Sequence, residues 1–97
     1  MKIYISIRAT GISYNEREMM LLRTITEVEA SGHKAVYPQS NNAVQDLAER
    51  ISMMLQCDAI YLLPKWYESR VCCSEKQVAE NYNKKILFTI PEKSGTR

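Results

Sequence analysis

The sequence is poor in the residues that mark linkers, metal sites and strongly charged surfaces. Its 97 residues include three glycines, three prolines and one histidine, and its net charge is +2. Little glycine and proline argues against a low-complexity linker. One histidine without suitably spaced cysteines argues against a zinc site, and we expect no metal or organic cofactor. A charge so close to neutrality gives no electrostatic reason to expect nucleic acid or an anionic membrane as a partner.

Long apolar runs and glycine-rich nucleotide motifs are missing as well. Every apolar run is far shorter than the roughly 20 residues of a membrane helix. Neither G-x-G-x-x-G nor a P-loop occurs, which argues against dinucleotide and nucleoside-triphosphate enzymes. The three cysteines are an odd number, and Cys72 and Cys73 are adjacent and poorly placed to pair. The chain opens directly on a strand-like segment, so we expect a reducing, cytoplasmic setting.

What is present is typical of one small globular domain. Hydrophobic residues make up 45% of the chain and charged residues 25%. A chain of this length holds one domain with a small core, and a partner subunit would help to bury its surface. We predict a single domain over residues 1–91 and a flexible tail over residues 92–97.

Four apolar segments rich in β-branched or aromatic residues predict strands. The first begins the chain, and prolines follow the other three. The third is almost continuously apolar, which is typical of a strand covered on both faces. The predicted strands are residues 2–7, 34–37, 59–63 and 86–90.

Three segments between the strands have helical periodicity. In the first, Asn15 with Glu18 forms a capping pair, and Gly32 ends the helix. Its apolar stripe is Leu21, Leu22, Ile25 and Val28. In the second, Asn42 with Gln45 forms the capping pair. Its stripe is Val44, Leu47, Ala48, Ile51, Met54 and Leu55. The third helix runs from about residue 70 to 83 after the N-cap Ser69. Its stripe is Val71, Glu75, Val78, Ala79 and Tyr82.

This strand–helix alternation predicts an α/β fold with a three-layer, doubly wound parallel sheet. We favour the flavodoxin-like strand order 2-1-3-4. Ligands in such sheets bind beyond the carboxyl ends of the strands, here between strands 1 and 3. The loops at residues 8–14 and 64–69 should face each other there, with residues 38–42 alongside.

Glu75 is the most informative residue, because it interrupts the apolar stripe of the third helix. Burying an unpaired carboxylate costs several kcal/mol, so Glu75 needs partners or a chemical role. It lies near the helix end whose dipole favours anions. The alternative is a side chain that tilts into solvent or pairs with Arg70 or Lys76.

Other candidates flank the same edge, and each has an alternative structural role. Ser69 presents its hydroxyl to a phosphate or only caps the helix. Arg8 pairs with a phosphate, pairs with Glu75, or is a solvated surface residue. Tyr4 lines the site or packs in the core. Trp66 and Tyr67 stack on a nucleobase or form a subunit interface.

The order and spacing of several motifs resemble small phage and bacterial proteins with a DUF4406 domain, in the nucleoside 2-deoxyribosyltransferase-like superfamily. The resemblance spans roughly residues 1 to 90. The stretch CDAIYLLP followed by W-x-x-S-R and a glutamate is its most specific part. The matching segments are MKIYIS at residues 1–6, Thr10–Gly11, Gly32–His33, residues 57–64, Trp66, Ser69–Arg70 and Glu75.

The resemblance implies chemistry at an N-glycosidic bond. Glu75 matches a glutamate that attacks C1′ of the sugar, so that the base leaves and a covalent glycosyl-enzyme forms. Ser69, six residues earlier, matches a serine that contacts the 5′-phosphate in related deoxynucleoside monophosphate hydrolases. Strand 1 and its loop shape the sugar and phosphate pocket, and Tyr4 orients Glu75. The residues assigned to this pocket are Tyr4, Ser6, Arg8 and Gly11, with Trp66 stacking on the base.

Three positions depart from the pattern of that family. Ile7 and Arg8 stand where a Gly-Pro pair is usual, which removes a close backbone approach to the ligand. Val71 replaces a glycine of the third helix, and its side chain would crowd a sugar. Arg50 replaces an acidic residue eight positions before Asp58, so a candidate for steering the leaving base is lost.

We therefore consider three functions. The first is a deoxyribosyltransferase or N-glycosidase acting on a nucleoside or its 5′-monophosphate. The second is a non-catalytic member that binds a nucleotide-like ligand or a protein partner, which a cleft plugged by Val71, Ile7 or Arg50 would favour. The third is a structural oligomer that uses Trp66 and Tyr67. We expect a homodimer or larger assembly.

Overall fold

The computed structural model describes residues 1–8, 11–38 and 47–90. Its strands are β1 (Lys2–Ser6), β2 (Lys34–Val36), β3 (Ala59–Leu62) and β4 (Lys85–Leu87). Its helices are α1 (Tyr14–Ala30), α2 (Leu47–Leu55) and α3 (Arg70–Asn81), with a short 3₁₀ turn at Trp66–Glu68. All four strands pair in parallel in the order β2-β1-β3-β4. The predicted α/β fold with a flavodoxin-like order is confirmed.

Helices cover the two faces of the sheet unequally. Successive side chains of a strand point to opposite faces. On one face Ile3, Ile5 and Ile7 lie in the clusters that α1 completes. On the other face Tyr4 lies in the cluster formed with α2 and α3. At the carboxyl ends of β1 and β3, the side chains of Ser6 and Leu62 therefore point towards the layer formed by α2 and α3.

The first helix begins earlier than its sequence pattern predicted. Ser13, not Asn15, is the N-cap: its hydroxyl accepts a hydrogen bond from the Glu16 amide at 3.2 Å and donates to the Glu16 carboxylate at 3.1 Å. Ser13 and Glu16 thus take the places that we had predicted for Asn15 and Glu18, two residues later. Gly32 follows the helix with φ of 86°, as predicted. Leu22, which we had grouped by its spacing with Leu21, Ile25 and Val28, is exposed.

The second and third helices differ from prediction mainly at their ends. Asn42, Gln45 and the predicted tail lie outside the described residues. Ser69 caps α3 as predicted, since its hydroxyl accepts from the Cys72 amide at 3.3 Å. Tyr82 was wrongly placed in the buried stripe, because α3 ends at Asn81 and Tyr82 is exposed. Within the described part of the chain, no helix has the length and apolarity to span a bilayer.

We predict that alkaline pH destabilises the fold through its two buried thiols. Burial raises the pKa of Cys57 and Cys72 above the ordinary value of 9.0. The folded chain keeps these protons at a pH where the unfolded chain loses them. The free energy of unfolding is therefore unaffected below pH 9 and falls above it, by up to about 1.4 kcal/mol per pH unit for each thiol.

Urea denaturation between pH 8 and pH 10 measures this fall. The exposed Cys73 supplies a matched control. Cys73→Ser should keep the full alkaline loss, whereas Cys72→Ala should reduce it. Equal pH slopes in all three proteins would contradict the prediction.

Candidate functional site

Glu75 is sealed inside the molecule at the carboxyl edge of the sheet. Its side chain is 0% exposed, so the alternative of a carboxylate in solvent is wrong. The alternative of pairing with Lys76 is wrong too, because Lys76 pairs with Glu80 at 2.6 Å. The helix stripe places Glu75 against the sheet, and the carboxylate must find its partners there.

Two hydroxyls of β1 hold the carboxylate of Glu75. The Tyr4 hydroxyl donates to Oε2 at 2.6 Å, and the Ser6 hydroxyl donates to Oε1 at 2.6 Å. Residues two apart in a strand share a face, which is why both hydroxyls reach α3. The structure thus brings together three of the predicted site residues. Their roles in catalysis stay predictions.

Arg50 of α2 completes this cluster, and sequence reasoning missed it as a partner. Its Nε donates to Oε2 of Glu75 at 3.0 Å, and one terminal nitrogen donates to the Ile7 carbonyl at 2.7 Å. Arg50 is only 2% exposed. A signal was available: Arg50 lies three residues after Leu47 and four before Met54, on the apolar stripe of its helix. Two buried residues of opposite charge on neighbouring helices are expected to form an ion pair, because an unpaired buried charge is costly.

Electrostatics fix the protonation of the partners of Glu75. Burial lowers the pKa of Arg50, but the charge of Glu75, the nearby Tyr4 and the hydrogen bond to Glu75 together outweigh it, and the net change in the pKa is upward. Burial, followed by the charge of Glu75, raises the pKa of Tyr4 well above its usual range. Arg50 therefore stays a cation and Tyr4 stays a hydrogen-bond donor. Tyr4, Ser6, Arg50 and Glu75 form what we call the buried cluster.

Ser69 lies next to the buried cluster without joining it. It is buried, and its hydroxyl accepts from the first turn of α3. The thiol of Cys72 connects the two places: burial raises its pKa, while hydrogen bonds with Ser6 and Ser69 act to lower it. Ser69, the serine predicted to contact a phosphate, therefore lies at the N-terminus of α3 and outside the buried cluster.

Arg8 lies apart from Glu75 and is loosely held. A terminal nitrogen donates to the Gly11 carbonyl at 3.3 Å, and the other lies 3.7 Å from the Glu68 carboxylate. Its Nε is buried and has no hydrogen-bond partner in the part of the chain that the structure describes. Gly11 has φ of 77°, and a Cβ there would lie 2.6 Å from the Arg8 guanidinium. The guanidinium is the flexible end of a side chain and can move aside, so the positive φ is what favours glycine at this position.

Trp66 is partly buried and packs against the core cluster that lies between the sheet and the helices α2 and α3. Its ring centroid lies 5.8 Å from that of Tyr67 and 6.2 Å from that of Phe88, and the Lys76 ammonium lies 5.4 Å above the ring. These ring contacts include no member of the buried cluster. Stacking of Trp66 on a base stays a prediction.

Two surface grooves border α1, on the sheet face opposite Glu75. One of about 350 Å³ is lined by Glu18, Met19, Leu21, Leu22, Ile25 and Tyr37. The other, of about 250 Å³, is lined by Met20, Arg23, Thr24, Glu27, Tyr61, Leu63 and Pro64. Neither includes a predicted site residue. Within residues 1–8, 11–38 and 47–90, no group of three side chains suits a metal ion.

We predict that removing one partner of the Arg50–Glu75 pair is strongly destabilising. Arg50→Met should lower the free energy of unfolding by about 3–5 kcal/mol, because it leaves a buried carboxylate without a counter-ion. Arg50→Met combined with Glu75→Gln should recover part of that loss. Urea denaturation of the two single variants and the double variant measures the coupling. Additive losses would show that the pair does not form in solution.

Comparison with known proteins adds one finding. Residues 1–88 match the model of the DUF4406 family, a domain of unknown function. A search of the curated proteins gives no match. The family match covers nearly all of the 97 residues and includes the whole sheet with the buried cluster. The chain therefore belongs to the DUF4406 family.

Proposed function

We propose that the protein binds a nucleoside 5′-monophosphate, or a ligand of the same chemistry, without cleaving it. The observation that carries this proposal is the buried ion pair between Arg50 and Glu75, with 3.0 Å between Nε and Oε2. The pair turns the expected nucleophile into the counter-ion of an arginine. The resemblance to the nucleoside 2-deoxyribosyltransferase-like superfamily supplies the ligand class.

The pair opposes cleavage for two reasons. A nucleophilic carboxylate needs an oxygen free to approach C1′, but the Glu75 side chain is fully buried and its Oε2 accepts hydrogen bonds from both Tyr4 and Arg50, which leaves the second lone pair of Oε1 beside Ser6. Glycosidic cleavage also needs a group that delivers a proton to the leaving base. Arg50 stands where relatives are expected to carry an acid, and a guanidinium does not give up its proton at neutral pH.

The ligand-binding side of the proposal depends on Arg8. Its ion pair with the half-exposed Glu68 is long, and exposed pairs of this kind contribute little to stability. A phosphate can displace Glu68 and also bind the Nε, which has no partner among the described residues, in the bidentate geometry that arginine favours. The N-terminus of α3, capped by Ser69, adds a favourable dipole.

Ligand binding is tested by titrating the chain with deoxynucleoside monophosphates in a calorimeter. We expect binding by the wild type and at least a tenfold weaker affinity for Arg8→Ala. The matched variant Glu68→Gln should bind more tightly, because it removes the competing carboxylate. Equal affinity for nucleosides and their monophosphates would contradict a role of Arg8 in holding phosphate.

A second candidate function is an active N-glycosidase, and the two β1 hydroxyls favour it. Tyr4 and Ser6 hold one carboxylate oxygen each and so fix the orientation of Glu75, which an aligned nucleophile requires. In this case Arg50 has to leave Glu75 before the sugar can approach.

Incubation with a panel of deoxynucleosides and monophosphates, followed by chromatography of the free bases, separates the two functions. We expect no base release by the wild type. Release that is lost in Glu75→Gln and kept in the surface variant Glu80→Gln would establish the enzyme instead. Release by Arg50→Ala alone would identify Arg50 as the blocking group, provided that its circular dichroism spectrum is native.

A further inference from the structure

Two backbone carbonyls follow the paired part of β1 and need partners. The last residue of β1 that pairs with a neighbouring strand is Ser6. Ile7 and Arg8 come next, and Ile7 is only 1% exposed. A buried carbonyl beyond the strand pairing is costly unless another group donates a hydrogen bond to it. The donors that the structure supplies are two arginine side chains, one from each face of the sheet.

Both of these arginines are buried, and they lie on different helices. A terminal nitrogen of Arg50, in the layer of α2 and α3, donates to the Ile7 carbonyl at 2.7 Å. Nε of Arg17, on α1 at the opposite face, donates to the Arg8 carbonyl at 3.2 Å. Arg50 is 2% exposed and Arg17 is 7% exposed. We call Arg17 and Arg50, with the two carbonyls that they bind, the carbonyl clamp.

Arg17 lies at a position that is unfavourable for a buried cation. It is the fourth residue of α1, at the end of the first turn, where the helix dipole disfavours positive charge. Burial of the guanidinium adds a further cost. One terminal nitrogen pairs with the partly exposed Glu18 at 3.2 Å, which balances the charge of Arg17. Its Nε is directed to the β1 backbone instead, and this contact offsets the cost of the position.

The carbonyl clamp fixes the direction in which the Arg8 side chain leaves the backbone. A peptide unit is planar, so a held carbonyl holds its whole plane. The Ile7 carbonyl belongs to the plane before the Arg8 Cα, and the Arg8 carbonyl belongs to the plane after it. With both planes held, the φ and ψ angles of Arg8 are set. The side chain then runs towards the N-terminus of α3, where a terminal nitrogen lies 3.7 Å from the Glu68 carboxylate.

We infer that the carbonyl clamp positions Arg8 for the phosphate of the ligand, and that Arg17 is a positioning residue of this phosphate site. The inference rests on the proposed function and adds to it a residue from the opposite face of the sheet. Arg17 acts through the Arg8 backbone and not by touching the phosphate. Because Arg8 is held in place before the ligand arrives, less conformational freedom is lost on binding.

Calorimetric titration with the common deoxynucleosides and with their 5′-monophosphates tests this role. The quantity to compare is the ratio of the two affinities, because a loss of stability lowers both alike, whereas a misplaced Arg8 weakens only monophosphate binding. We expect Arg17→Lys to reduce the ratio about fivefold, since lysine keeps the charge but puts a methylene in the place of Nε. Arg17→Met, which also removes the charge, should give a similar reduction.

Arg23→Met is the matched control, because Arg23 is an exposed arginine on the same helix. It should leave the ratio unchanged. A ratio that survives Arg17→Lys would overturn the inference and leave the proposed function intact, and so would equal reductions in Arg17→Met and Arg23→Met, which would trace the effect to charge. A wild type that binds monophosphates no better than nucleosides would refute the proposed function, and the inference with it.

The Nε–H signal of Arg8 in NMR spectra of the ligand-free protein gives a second measurement. It should shift in Arg17→Lys and keep its position in Arg23→Met. An unchanged signal in Arg17→Lys would overturn the positioning role, whatever the affinities.

Discussion

A single buried ion pair determines the geometry of the carboxyl edge of this sheet. Arg50 and Glu75 are both removed from water, and desolvating two charges costs several kcal/mol for each unless their hydrogen bonds are complete. Here the carboxylate accepts from two β1 hydroxyls and from the guanidinium, which also donates to the β1 backbone. One pair therefore ties α2 and α3 to the same end of β1. The distance between α2 and α3 at this edge therefore depends on the Arg50–Glu75 ion pair.

The same contacts restrict what the Glu75 carboxylate can do chemically. Hydroxyls from a rigid strand hold a carboxylate in one orientation, and this is useful to a nucleophile. In the proposed function, a guanidinium that is hydrogen-bonded to the same oxygen removes that use without disturbing the orientation. The fold of this chain therefore does not by itself determine its activity.

Much of the fold could be predicted from sequence because its signals are local. Alternating strands and helices, prolines after strands and the Ser69 cap lie within a few residues of the structure that they specify. Glu75 could be singled out because a carboxylate on an apolar stripe is a local anomaly. Arg50 is a similar anomaly on the stripe of α2, but its pairing with Glu75 could not be predicted, because the two residues are 25 positions apart and the contact depends on how α2 packs beside α3. The exposure of Leu22 could not be predicted for a related reason: periodicity shows that a helix has an apolar side but not how much sheet that side covers.

The two outer strands of the sheet have a further consequence for how copies of this chain meet. β2 and β4 are three residues each, and each begins with an exposed lysine, Lys34 and Lys85. Short, charged margins are poor templates for adding another strand. Growth of the sheet from molecule to molecule into a fibril is therefore disfavoured at both margins.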